Sequence, residues 1–225
     1  MDFGNLISIG ATVSTILMFL THLKTPIQIK RNINSIYNIP FLPHVMTFFN
    51  CALWEKYGIL KGDPGMIIAN FTGIIINTHV IFVYYKNSRD LRNKVEKSFS
   101  IMIITLICIL SYVKLNRGLK SYTILGFISS ISTIVMFGFP ISTLKKVITT
   151  KNNSSLSIKP IIILLISSAL WTLYGYVIKD NFVCIPNGLG CLLAVVQLLI
   201  YKLYSKREYS LPQNTIQMTP FHMKN

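Results

Sequence analysis

Charge is what this chain has least of. Of its 225 residues only 13% are charged, against about 25% in an average soluble domain. Acidic residues number 7, and mean hydropathy is +0.53. So little charge could not wet the surface of a soluble globule, which excludes most cytosolic enzymes. Cysteine is also sparse. The four present (Cys51, Cys108, Cys184, Cys191) show neither CxxC nor metal-ligand spacing and all fall in apolar runs, so they read as small packing residues. No Ser/His/Asp or Cys/His grouping suggests an enzyme, and nothing in the pattern calls for a cofactor or a metal. Met1 to Asn5 lacks a basic n-region and the first apolar run lacks a small-residue cleavage site, so no cleavable signal peptide is expected.

What the chain does have is long apolar runs. Candidate helices lie at about 5–23, 40–60, 66–85, 99–115, 121–144, 158–178 and 182–204, each near the roughly 20 residues needed to span a bilayer. The expected fold class is an all-α membrane protein with seven transmembrane helices and the lipid bilayer as its surroundings. Between the runs lie basic or polar connectors such as Lys86 to Lys97 and Lys145 to Ser157. Glu208 to Asn225 is polar and contains proline, and is expected to be a disordered tail.

The 22 Lys+Arg against 7 Asp+Glu give +15, which in a soluble protein would point to nucleic acid. Here the basic residues sit in short clusters between apolar runs, and no nucleic-acid partner is expected. Sixteen of them lie after helices 1, 3 and 5 or in the C-terminal tail, and 6 on the other side. The excess of Lys and Arg marks the cytoplasmic face. That places the N-terminus outside and the tail in the cytoplasm, with the Asn152 and Asn153 sequons facing inward and unglycosylated.

The most specific feature is internal. At an offset of 117 residues, Pro43 meets Pro160, Trp54 meets Trp171, Tyr57 meets Tyr174 and Gly58 meets Gly175. Asp63 then meets Asp180, Asn70 meets Asn187, Gly73 meets Gly190 and Tyr84 meets Tyr201. The chain has only two tryptophans, and they fall on each other. Pro26 and Pro140 correspond at offset 114, if the connector between helices 5 and 6 is three residues longer than its counterpart. Helices 1–3 therefore repeat as helices 5–7. Three spans end on the side opposite their start, so helix 4 must return the chain before the second triplet can begin in the same orientation. The expected architecture is two parallel three-helix bundles joined by an inversion helix, 3+1+3. Residues 1–98 carry the first repeat and its connector, 99–120 the linker helix, 121–207 the second repeat and 208–225 the tail.

Depth groups the repeated residues. Trp54 lies about 6 Å outward of the centre of its helix, and Asn70 about 8 Å to the same side, at 1.5 Å per residue. Trp171 and Asn187 share that layer. An unpaired amide in hydrocarbon is costly, so these residues should face the bundle interior or a water-filled cavity. Asn amides suit hydroxyl groups, and an indole face suits the C–H face of a pyranose. The alternative is helix-to-helix bonding by the asparagines and simple packing by the tryptophans. Pro26, Pro43, Pro140 and Pro160 lie near the cytoplasmic ends of helices 1, 2, 5 and 6, either as helix ends or as hinges ringing an inner gate. Tyr57 with Asp180, and symmetrically Tyr174 with Asp63, lie near the outer ends. There a phenol-to-carboxylate bond would close the mouth, unless the tyrosines only anchor the interface.

On these residues the chain resembles the SWEET (MtN3/saliva) family of sugar transporters, from residue 5 to about 204. The resemblance rests on the 3+1+3 arrangement, on Leu53-Trp54-Glu55-Lys56-Tyr57-Gly58, on Asn70-Phe71-Thr72-Gly73, and above all on Ile185-Pro186-Asn187-Gly188-Leu189-Gly190. It implies sugar binding by Asn70 and Asn187, with Trp54 and Trp171 as pocket aromatics. It further implies an intracellular proline tetrad of Pro26, Pro43, Pro140 and Pro160, and an outer gate of Tyr57 and Asp180. The implied activity is facilitative, bidirectional sugar flux without ion coupling, in a homo-oligomer.

The expectation is a uniporter of mono- or disaccharides working by alternating access, with a glucose-like hexose favoured because two Trp faces narrow the pocket. The plasma membrane is the expected home, with the Golgi or another endomembrane as alternatives. The rival is a PQ-loop-type carrier of another small solute, proton-coupled, of whose dipeptide Pro26-Ile27-Gln28 is a loose echo. Glu55 (partner Thr172) and His79 (partner Val196) are not duplicated by the repeat, and they are the residues that rival would use. His79 otherwise reads as a helix-packing residue.

Overall fold

A computed structural model describes residues 3–116 and 119–205, nearly all of them helical. The expected tail, Glu208 to Asn225, lies outside the described residues. The helices are α1 (Phe3–Leu20), α2 (Lys24–Arg31), α3 (Leu42–Lys61), α4 (Pro64–Asn87), α5 (Arg89–Leu115), α6 (Leu119–Met136), α7 (Gly138–Thr150), α8 (Ile158–Val177) and α9 (Asn181–Ser205). Two pairs are single interrupted rods, Phe3–Arg31 and Ser121–Thr150, so these segments make up the seven expected rods.

Among the described residues, six of the rods are long and apolar enough to cross a membrane. The exception is α3. It has the length, at 20 residues, but His44, Asn50, Trp54, Glu55, Lys56 and Tyr57 lower its hydropathy. Its place explains this composition, because α3 packs against α4, α5 and α6 and keeps His44, Trp54 and Tyr57 buried. The other rods turn large apolar side chains outward. Phe71, Ile75 and Phe82 of α4, Ile104 and Ile107 of α5, and Leu192, Leu199 and Leu203 of α9 are all more than half exposed, a surface suited to lipid.

Three boundaries differ from the sequence reading. The first rod runs past Pro26 to Arg31 through a short 3₁₀ turn at Thr21–Leu23. The Lys86 to Lys97 connector is mostly helix: Ser88 caps α5 by accepting from the Leu91 N–H at 3.1 Å, and the helix begins about ten residues early. The fifth rod continues to Thr150 instead of ending near 144. In each case a hydropathy scan stops where the membrane would, while the helix itself runs on into the polar segment; for α5 the Ser88 cap sets where it begins.

Helix packing repeats with the offset. In the first half α4 packs against α1 and α3, and in the second α9 packs against α6 and α8. Across the halves α1 packs on α8, and its counterpart α6 packs on α3. The α3–α4 and α8–α9 turns are built alike. The Asp63 N–H donates to the Gly58 carbonyl at 2.9 Å, and the Asp180 N–H to the Gly175 carbonyl at 2.8 Å. Each turn needs a left-handed residue, Gly62 (φ 67) in one and Lys179 (φ 55) in the other. Gly58 and Gly175 let the paired helices touch: a Cβ on Gly175 would lie 2.6 Å from the Cys184 backbone nitrogen, and one on Gly58 2.8 Å from the Met66 Cβ.

Candidate functional site

A cavity of about 370 Å³ lies between the two halves. All four residues of the expected binding set, Asn70, Asn187, Trp54 and Trp171, line it. Each indole is more than nine-tenths buried and spends its N–H across the halves. Trp171 Nε1 donates to Thr15 Oγ1 at 2.8 Å, and Trp54 Nε1 to Thr133 Oγ1 at 2.9 Å. Thr15 lies 2.8 Å from Ser167 Oγ, while Thr133 donates to Asn50 Oδ1 at 3.1 Å. Ser167 is the repeat partner of Asn50, so the two clusters are equivalent. Thr15 and Thr133 carried no signal in the sequence, because their offset is 118 whereas the prolines of the same rods match at 114. The first rod holds four more residues between its threonine and its proline, about one helical turn. This four-residue difference inside the rods is separate from the expected three-residue excess beyond the prolines, where Pro140 and Pro160 lie 20 residues apart against 17 for Pro26 and Pro43.

The asparagines do not bond across helices. Asn70 Nδ2 donates to the Met66 carbonyl and Asn187 Nδ2 to the Val183 carbonyl, both at 2.8 Å and both within their own helix. That pins each amide and leaves its oxygen and second N–H without a protein partner among the described residues. Asn187 follows Pro186, which sits inside α9. The missing proline N–H frees the Phe182 carbonyl, and Ser130 of α6 lies 3.0 Å from it. The break that presents Asn187 is thus compensated from the neighbouring helix.

Next to the two cavity-lining indoles, two equivalent bonds join the halves. Tyr57 donates to Asp180 Oδ2 at 2.6 Å, and Tyr174 to Asp63 Oδ2 at 2.6 Å. The other oxygen of each carboxylate is already placed. Asp63 Oδ1 accepts from the Met66 N–H at the start of α4, and Asp180 Oδ1 from the Phe182 N–H at the start of α9, both at 3.0 Å. Helix capping therefore aims both acids at tyrosines of the opposite half. Lys61 adds an ion pair to Asp180 at 3.0 Å. Each of these tyrosines meets a cavity-lining indole edge-on, with centroids 5.4 Å apart for Trp54–Tyr57 and 5.7 Å for Trp171–Tyr174.

The four prolines each occupy the first turn of a helical segment: Pro26 in α2, Pro43 in α3, Pro140 in α7 and Pro160 in α8. There the absent N–H costs no helical bond. Pro26 and Pro140 directly follow the interruptions of their rods, whereas Pro43 and Pro160 start theirs. Pro140 lines the cavity and the other three do not. Glu55 is half-buried, and His79 is exposed on the face of α4 away from the cavity. Of the four cysteines Cys51 is buried and lines the cavity, while Cys108 is exposed, which departs from its expected packing role.

A family model described as "Sugar efflux transporter for intercellular exchange" (MtN3_slv) matches residues 5–90 and again residues 123–209. The chain belongs to this family, the SWEET transporters. Its two matched segments coincide with the two copies of the repeat related by the offset of 117 residues. Similar proteins include the sugar transporter SWEET1 of Dictyostelium discoideum, 32% identical over 202 residues, covering 86% of this chain and 90% of that one. The SWEET1 of Rattus norvegicus is 31% identical over 199 residues, covering 88% and 90%. The bidirectional sugar transporter SWEET15 of Oryza sativa subsp. japonica is 30% identical over 210 residues, covering 91% of this chain and 63% of the rice protein. In fold, a eukaryotic SWEET transporter structure superposes with a TM-score of 0.81 at 22% identity, covering 91% of this chain and all of that one. The chain is therefore a multi-pass membrane protein, and SWEET proteins are transporters, not enzymes.

Proposed function

We propose that this chain is a facilitative, bidirectional sugar uniporter. The observation that carries the reading is the duplicated cluster around one cavity, with an indole, a threonine and a half-satisfied asparagine from each half meeting between them. Two amides with free donors and acceptors suit a polyhydroxylated ligand, and the paired indoles leave narrow apolar edges beside them. Sugar transport is also what the related SWEET1 and SWEET15 proteins are named for.

In this reading Asn70, Asn187, Trp54 and Trp171 bind the sugar between two three-helix units joined by α5. Tyr57 with Asp180, and Tyr174 with Asp63, latch the outer mouth. Pro26, Pro43, Pro140 and Pro160 are the inner hinges, and the units rock about the fixed site. A cavity that reaches Pro140 while both latches are made corresponds to the inward-facing state. Among the described residues no Asp or Glu lines the cavity, which supports flux that follows the sugar gradient alone. The two indoles narrow the site toward a glucose-like hexose over a disaccharide. The N-terminus faces outside and the C-terminus the cytoplasm, the plasma membrane is the home, and protomers associate as homo-oligomers.

The test is uptake of radiolabelled glucose and sucrose by liposomes carrying the wild-type chain, Asn70→Ala or Asn187→Ala. Glucose flux that exceeds sucrose flux and collapses in both variants is expected. Undiminished glucose flux in both variants would remove the site, and equal sucrose flux would remove the hexose preference.

A further inference from the structure

Beyond the asparagine–tryptophan layer, the first half holds a polar cluster that the second half lacks. His22 Nδ1 lies 3.0 Å and His44 Nδ1 3.1 Å from the same acceptor, Asn77 Oδ1. Asn77 is fully buried, and its Nδ2 donates to the Gly73 carbonyl at 2.8 Å. That bond decides the chemistry. With the amide nitrogen committed to Gly73, the oxygen faces both rings, and each Nδ1 must bring a proton to it. A bare Nδ1 lone pair facing an amide oxygen would repel. Both neutral imidazoles are thereby held as Nδ1–H tautomers, and each Nε2 is an acceptor.

The two acceptors differ in surroundings. His44 Nε2 lies 3.5 Å from Thr25 Oγ1, and the ring is buried. His22 lines the cavity, and its Nε2 has no hydrogen-bond partner among the described residues. Its ring is steadied by edge contacts with Phe19 (centroids 5.8 Å apart) and His44 (5.1 Å). Tyr84 of α4 lies beside His44, and among the described residues no carboxylate is bonded to either ring.

Position completes the argument. Asn77 follows Asn70 by seven residues on α4, so it lies on nearly the same face and about 10 Å nearer the proline end. At offset 117 the counterpart of Asn77 is Ala194 and that of His44 is Ile161. A ligand leaving the asparagine layer toward the prolines therefore meets His22 on the wall of the first half, and the second half has no counterpart of the His44–Asn77 pair that holds it.

We infer that His22 is a second sugar-contact residue, whose Nε2 accepts a hydrogen bond from one sugar hydroxyl on the inner stretch of the path. Asn77 acts through it as the positioning residue that holds its tautomer. This inference rests on the sugar-transport reading above.

The test uses fluorine as a hydroxyl that cannot donate. In proteoliposomes, the monodeoxyfluoro analogues of glucose compete against labelled glucose for uptake by wild type, His22→Leu, His22→Gln and Asn77→Leu. In wild type, fluorine at one ring position weakens competition by about three- to tenfold. In His22→Leu the penalty at that position disappears while penalties at other positions stand. Asn77→Leu gives the same selective loss, and His22→Gln, which offers an amide oxygen, retains the penalty. A penalty pattern unchanged in His22→Leu, or a uniform loss for every sugar, would overturn the inference. If His22→Leu does not reach the membrane, the pattern in Asn77→Leu decides in the same way. Absence of uptake by the wild-type chain removes both readings, whereas uptake with unaltered penalties in the variants removes this one alone.

Discussion

The proposed outer latch gives the sharpest quantitative expectation. Tyr57→Phe deletes one hydroxyl and keeps the ring, which packs fully buried against Trp54 and Phe182. The lost bond is a phenol donating at 2.6 Å to a carboxylate. Hydrogen bonds to charged groups are worth about 1.5–3 kcal/mol net. Asp180 keeps its Phe182 N–H and its Lys61 partner, so the lower end applies. About 1.5 kcal/mol is roughly tenfold in the closed-to-open ratio of the outer mouth. Tyr174→Phe should cost a similar amount. If the halves move as rigid units that make both bonds together, the two costs add, and the double variant shifts the ratio by about a hundredfold. Lys61→Met serves as the comparison. Lys61 is 39% exposed, so its ion pair should contribute no more than about 1 kcal/mol and should fade with salt. The chain supplies its own probe, because its two tryptophans each sit edge-on against a latch tyrosine. Acrylamide quenching of tryptophan fluorescence, with Trp171→Phe isolating Trp54, should rise in Tyr57→Phe and rise further in the double variant. Tyrosine variants that leave quenching and glucose exchange at wild-type values would refute the latch.

Two further expectations concern the turns that carry the latch. Lys179 adopts φ 55 where the equivalent turn has Gly62. Lys179→Gly should therefore raise the thermal stability of the detergent-solubilised protein by up to about 1 kcal/mol, with flux unchanged. An unchanged or lowered Tm would show that the left-handed conformation costs nothing there. Gly175→Ala pushes a methyl group to 2.6 Å from the Cys184 backbone nitrogen, which no side-chain rotation relieves. The expected cost is about 1–3 kcal/mol together with displacement of Asp180, read as lower yield of folded protein and raised quenching of Trp54. Wild-type behaviour in both measurements would contradict the close approach of α8 and α9.

The Trp–Thr bonds illustrate why part of the site was not legible beforehand. Trp54 and Trp171 stand out because both halves carry them at one offset, and the same holds for Asn70, Asn187, Tyr57 and Asp180. Thr15 and Thr133 perform a paired job, but the one-turn difference between the rods breaks their register with the prolines. A search at a single offset passes over them. The His22–Asn77–His44 cluster escaped for the opposite reason: it is not repeated at all. Unrepeated residues drew attention only at Glu55 and His79, and His79 is exposed on α4 away from the cavity. A useful signal was present, since Asn77 lies one heptad beyond Asn70 on a membrane helix and polar residues there seldom face lipid.

Sequence alone was enough to determine the number of rods, the duplication and the paired asparagines and tryptophans that line the cavity. Hydropathy and repetition are one-dimensional properties, and the bilayer translates them directly into spans and equivalent positions. What needed the tertiary structure was which groups are paired and which are left free. Tyr57 and Asp180 are 123 residues apart, and Trp171 and Thr15 are 156 apart. Such bonds exist only once the two halves pack. The same packing decided that the asparagine amides bond to their own helices, that helix capping aims both carboxylates at the opposite tyrosines, and that His22 keeps an unused acceptor on the cavity wall. Each is a matter of hydrogen-bond satisfaction, and a buried polar group finds its partner through space, not along the chain.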